Sequence, residues 1–168
     1  MPILNVRIAA AKSPELSARV AALLLSLTQR ILGKQPEVTA IAIDYVNPDD
    51  WFVGGVPLSA QGKSSFYFDI KITDETNTKA EKAQYIEAAF AGFERILGNL
   101  HEESYIHIED VRAAAYGYGG RTQEYRYHHS AGLTGHTLPA TPPPATDNLP
   151  VFPGIAMSAS VTASSSAK

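Results

Sequence analysis

Hydrophobic and polar residues alternate with a period of two at the start of the chain and again near its middle. Pro2, Leu4, Val6 and Ile8 alternate with Ile3, Asn5 and Arg7, and Phe66, Phe68, Ile70 and Ile72 alternate with Tyr67, Asp69 and Lys71. Both patterns predict strands. The period then lengthens. Leu16, Val20, Leu24, Leu27 and Ile31 make a helical apolar stripe after the first strand, and Ile86, Phe90, Phe93 and Leu97 make one after the second. Ser13 before Pro14 and Glu15 predicts the first helix start, and Thr78 with Glu81 forms the T-x-x-E capping box of the second. Gly33 and Gly98 stand where each helix needs a residue tolerant of left-handed backbone.

The two halves are copies. ILGKQPEVTAIAIDYVNPDDWFVGG, from residue 31, aligns without a gap on ILGNLHEESYIHIEDVRAAAYGYGG, from residue 96, and pairs Ile41 with Ile106, Trp51 with Tyr116 and Gly55 with Gly120. Each half reads strand, helix, strand, closed by a glycine hairpin. A helix between two strands is the crossover that parallel pairing requires. The expected fold is therefore mixed α/β (α+β): a tandem β-α-β repeat forming a four-stranded sheet with two helices on one face. The other face then calls for cover, most simply by further copies of the chain.

Composition sets the domain limits. The sequence predicts a domain over residues 1–129, with repeat units at 2–60 and 65–127. Residues 130–168 are rich in Ser, Thr, Ala, Pro and Gly, nearly devoid of charge and without a sustained period. That composition predicts a flexible tail, or an extended arm docked through Leu149, Val151, Phe152, Ile155 and Met157. With 168 residues, 45% of them hydrophobic, the chain can bury one core. The formal net charge of -3 supplies no basic field for nucleic acid. No cysteine is present, which removes disulfides and thiolate chemistry and fits a reducing compartment. Neither a leader nor a run of eighteen apolar residues is seen, so a cytoplasmic protein without a membrane partner is expected. The histidines lack metal-ligand spacing, and GYGG at 117–120 is followed by no Lys-Ser/Thr helix, so neither a metal nor a phosphate loop is expected.

The candidate chemistry lies at the amino terminus. Proline is tolerated as the first residue of a strand because it has no ladder hydrogen bond to donate. Removal of Met1 would also free its secondary amine, a base and nucleophile. Together with Lys12-Ser13 before the helix, the WFVGG hairpin, LGKQPEVTAIAI and SYIHIEDV, this start resembles the tautomerase superfamily. Residues 2–55 resemble a 4-oxalocrotonate tautomerase subunit, and residues 2 to about 128 resemble the longer fused members and macrophage migration inhibitory factor.

The resemblance implies a cofactor-independent isomerase in which Pro2 moves a proton in a small enol or unsaturated oxo acid, within a homotrimer. It implies substrate-binding roles for Lys12, Lys34, Trp51, Tyr105 and His107. Lys12 stands where the tautomerase has a substrate arginine, keeping the charge but losing the bidentate fork; its second arginine falls on Ala40. Read from the residues alone, Lys12 and Lys34 equally fit solvated lysines at helix ends, Tyr105 a core residue, Trp51 a packing residue at a subunit seam and His107 a satisfied strand residue. Two further functions stay open: a binding or scaffold protein with a vestigial site, and hydration, dehalogenation or decarboxylation of a small acid. The branches that carry out the latter add arginines where this chain has Lys71 and Asn77.

Overall fold

A computed structural model of the chain describes residues 1–129. The elements run β1 (Ile3–Ala9), α1 (Pro14–Arg30), β2 (Ala40–Val46), the hairpin β3 (Phe52–Val53) and β4 (Val56–Pro57), and the single turn α2 (Leu58–Gln61). The second half repeats them as β5 (Phe66–Thr73), α3 (Lys79–Leu97), β6 (Tyr105–Val111), β7 (Gly117–Tyr118), β8 (Arg121–Thr122) and α4 (Gln123–His129). The tail expected over residues 130–168, with its apolar cluster, lies outside the described residues.

One four-stranded sheet has the order β2-β1-β5-β6. The outer pairs are parallel, with Ile3 opposite Ala40 and Tyr67 opposite Tyr105, while the central pair is antiparallel, with Ile3 opposite Lys71 and Ile8 opposite Phe66. The two halves are thus related by an approximate two-fold axis between β1 and β5. The start of β1 adjoins the start of β2 and the end of β5.

The caps read from the sequence form. Leu16 N–H donates to Ser13 Oγ at 3.2 Å, and Thr78 and Glu81 make a reciprocal capping box. Gly33 takes φ 65°, a left-handed value that permits Lys34 N–H to reach back to the Thr28 carbonyl at 3.2 Å. Both helices cover one sheet face. Leu4, Val6 and Ile8 of β1 and Phe66, Phe68, Ile70 and Ile72 of β5 are buried beneath Val20, Leu24 and Leu27 of α1 and Phe93 of α3. Each large side chain so buried contributes about 1.5–3 kcal/mol. Phe66 and Phe93 stack with ring centroids 3.8 Å apart.

The stripe expected on α3 is rotated. Ile86 is 41% exposed, and the buried residues are Tyr85, Ala89, Gly92 and Phe93. The cause is close helix approach: a Cβ on Gly92 would fall 2.6 Å from Leu23 Cδ2, so small residues face α1. Tyr85 then crosses the seam, its hydroxyl 2.9 Å from Thr28 Oγ1, both groups buried. Burial raises the Tyr85 phenol to about 12, partly offset by that hydrogen bond.

The opposite sheet face is polar. Asn5 Nδ2 donates to Asp69 Oδ2 at 3.1 Å, and Lys71 Nζ lies 3.3 Å from Asp69 Oδ2 and 3.0 Å from Glu109 Oε2. Large exposed apolar side chains sit instead at the hairpin and strand ends, among them Phe52, Val56 and Tyr105. Any cover for this face therefore meets charges and hydrogen-bonding groups in its middle and apolar surface at its margins.

Candidate functional site

The sequence candidates divide between the two ends of the sheet. Pro2 is buried at the start of β1, where its carbonyl accepts from Ala40 N–H at 3.1 Å. Lys34 follows α1 and comes to the same end, half-buried, donating from Nζ to Thr76 Oγ1 at 2.8 Å. Met1 still precedes Pro2, so the amine present is that of Met1, and the Pro2 nitrogen lies in a peptide bond. The Met1 amine is held below its ordinary value, first by burial and then by the positive charge of Lys34. Lys34 is itself lowered, chiefly by burial and further by Lys82, against the opposing pull of Glu81 and Asp110.

Trp51 and Tyr105 lie elsewhere. They line an open cleft of about 830 Å³ at the other end, with Arg7, Tyr67 and Glu103. The Tyr105 hydroxyl donates to the Glu103 carboxylate, and that bond holds its phenol above the usual range. Lys12 is exposed in the loop after β1. A seven-residue strand at roughly 3.3 Å per residue separates it from Pro2. His107 is exposed on β6, opposite Asp69 of β5. One protomer therefore brings together Pro2 and Lys34 and, separately, Trp51 and Tyr105.

The second half completes the Pro2 end with residues outside the sequence-derived set. Its hairpin and α4 fold back over the starts of β1 and β2, as the first hairpin and α2 do at the other end. Tyr116, the repeat partner of Trp51, directs its hydroxyl to the Lys71 carbonyl at 3.5 Å and is hydrogen-bonded by the backbone of Ile3. Burial leads in raising this phenol. Beside it a cleft of about 480 Å³ is lined by Met1, Gln35, Thr76, Tyr118, Gln123 and Arg126, among others. The repeat pairing of Trp51 with Tyr116 was the available signal for an aromatic residue here. For Gln123 and Arg126 there was none, since α4 carries no apolar period.

Lys71 and Asn77 are both already engaged by neighbouring groups. Lys71 is held charged above its usual range, chiefly by Glu109 and also by Asp69. Asn77, where an arginine would add charge, donates to the Leu32 carbonyl at 3.1 Å and to Glu81 at 3.4 Å. At the Pro2 end, the partly buried Met1 amine and the Arg126 guanidinium share one cleft, and the half-buried Lys34 ammonium is hydrogen-bonded to Thr76, which lines it.

No family model and no curated protein matches the chain. Solved structures do. A fused 4-OT wild-type asymmetric trimer superposes with a TM-score of 0.63 at 20% identity, over 73% of this chain and 96% of that one. Macrophage migration inhibitory factor of Toxoplasma gondii gives 0.60 at 15% identity, over 71% and 98%. A homologue of that factor from Prochlorococcus marinus gives 0.59 at 19% identity, over 71% and 97%. The chain has the tautomerase-superfamily fold; at these identities the likeness is one of fold.

Proposed function

We propose that the chain is a cofactor-independent tautomerase that moves a proton in a small enol or unsaturated oxo acid, with the Pro2 amine as base once Met1 is removed. The observation that carries this reading is the buried start of β1 beside Lys34. A secondary amine there inherits the two influences acting on the Met1 amine, burial and a neighbouring cation, and both favour the neutral base near pH 7. A general base is most effective when its pKa lies close to the working pH. Pro2 takes the proton from the acid, Lys34 stabilises the dienolate that develops, and the ammonium of Pro2 returns the proton at the other carbon or oxygen. The substrate carboxylate adds attraction for the same cations.

The proposed assembly is a homotrimer. The two candidate groups sit at opposite ends of one protomer, and a closed ring of copies would set the Trp51 and Tyr105 end of one beside the Pro2 and Lys34 end of the next. Such a ring would also cover the exposed Phe52, Val56 and Tyr105. In this assembly Trp51 and Tyr105 form the apolar wall, and Lys12 and His107 lie within reach of a neighbour. A light-scattering mass equal to one chain would contradict it.

The test of function is turnover of a panel of 2-hydroxydienoates and phenylenolpyruvate by chain whose intact mass shows Met1 removed. Proton transfer on at least one member supports the proposal. Activity on none of them favours a tautomerase-fold binding protein. Hydration, dehalogenation and decarboxylation are weaker readings, because Lys71 is neutralised by its own neighbours and Asn77 carries no charge.

A further inference from the structure

Gln123 Nε2 and Arg126 Nε are buried nitrogens without a hydrogen-bond partner among the described residues, and both residues line the cleft at the Pro2 end. Burying such a donor unpaired costs about 1–3 kcal/mol, more when it is charged. The two residues are one helical step of three apart on α4, which places them on one face. Each is a donor, so the missing partner is an acceptor. The guanidinium does not swing freely: its Nη2 donates to the Tyr118 carbonyl at 2.8 Å, and its plane lies over the Tyr118 ring at 3.8 Å. With one edge tethered, the Nε edge remains. Asp74 also lines the cleft, but its Oδ1 accepts from Glu75 N–H at 2.9 Å and it receives no hydrogen bond from Gln123 Nε2 or Arg126 Nε.

We infer that Gln123 and Arg126 form the carboxylate-recognition arm of this cleft and hold the acid group of a small 2-oxo or enol acid. The assignment of acid class rests on the tautomerase reading. The arm supplies what the first repeat lacks: position 40, at the start of β2, is an alanine, and the hairpin and α4 of the second repeat carry a guanidinium to the same end of the sheet. A planar guanidinium fixed by stacking suits a carboxylate better than a mobile ammonium, because less freedom is lost when the hydrogen bonds form. It follows that selectivity for acids over neutral ketones resides in α4, while the proton chemistry resides at Pro2.

The experiment is calorimetric titration of the full chain with benzoylformate, a 2-oxo acid that has no proton to tautomerise, and with acetophenone as its neutral counterpart. Arg126→Lys keeps a donor for the Tyr118 carbonyl and a cation over its ring but removes Nε. It should weaken benzoylformate binding about tenfold, the loss of one charged hydrogen bond, with an unchanged melting temperature. Arg126→Gln should weaken it further and Gln123→Leu less, and acetophenone should bind all forms alike. Equal affinity of wild type and Arg126→Lys would overturn the inference, as would failure of the wild type to bind benzoylformate or equal affinity for the acid and the ketone. Binding that depends on Arg126 in a chain that turns over no enol acid would sink the tautomerase reading alone. Turnover indifferent to Arg126 would sink the arm alone.

Discussion

The two halves of the sheet are the same scaffold put to different use. In the first, the residue before β1 is Pro2, which is buried and accepts from Ala40 N–H through its carbonyl at 3.1 Å. In the second, the corresponding residue by strand register is Phe66, which is fully buried, stacked on Phe93 and continuous with the preceding chain. The residue before it, Ser65, is spent on structure, its Oγ 2.9 Å from Ser104 Oγ and donating to the Glu103 carbonyl at 3.1 Å. The repeat carries over the strand, helix and hairpin, but not the surroundings of the residue before the first strand. In the proposed enzyme the first half supplies the amine, and the hairpin and α4 of the second half line the cleft beside Met1.

The sharpest way to break this comparison is to substitute the two equivalent residues. Pro2→Ala should lower turnover of the best enol acid about a hundredfold or more, the usual contribution of a general base, with circular dichroism and mass unchanged. Phe66→Ala should do the reverse: a loss of about 3–5 kcal/mol in chemical denaturation, with turnover per folded molecule retained. If Phe66→Ala abolished turnover in a still-folded protein, the second half would have a direct role in the chemistry. The seam between halves comes next. Thr28→Val leaves the buried Tyr85 hydroxyl unpaired and should cost about 1–3 kcal/mol by the same denaturation assay.

The smallest effect concerns charge. Lys34 lowers the pKa of the terminal amine, so Lys34→Ala should raise it, and the acid limb of the rate profile should move to higher pH. The sign follows from the free base being the active form, whose population falls as pH drops through the amine pKa. An acid limb that stayed in place would separate Lys34 from the amine.

Much of this scaffold was legible because its signals are local. The alternation in β1 and β5, the Ser13 and Thr78 caps and the glycine hairpins each need only a few neighbouring residues. The α3 face was not legible: Ala89 and Gly92 do not register as apolar, yet close approach to Leu23 turns them inward and leaves Ile86 outside. The strand registers also differ by one residue from the constant repeat offset, because the loop from β5 to its helix cap, residues 74–77, is one residue longer than that from β1, residues 10–12. For the candidate site, Pro2 and Lys34 share an end of the sheet as a parallel β-α-β unit requires, since both precede parallel strands. Trp51 sits at the opposite end because it follows β2, and Tyr105 joins it because the central strand pair is antiparallel, a pairing that no residue pattern within either half encodes. Gln123 and Arg126 were invisible for a similar reason: seven polar and aromatic residues become a cleft wall only after the last hairpin folds back.

The pH dependence of kcat/KM for the mature chain, compared with a form that retains Met1, decides whether the Pro2 amine is the base. The expected result is an acid limb with an apparent pKa below the roughly 7.7–8.0 of an ordinary amino terminus, and little activity at any pH in the form that retains Met1. A flat profile through neutrality, or equal rates for the two forms, would contradict it.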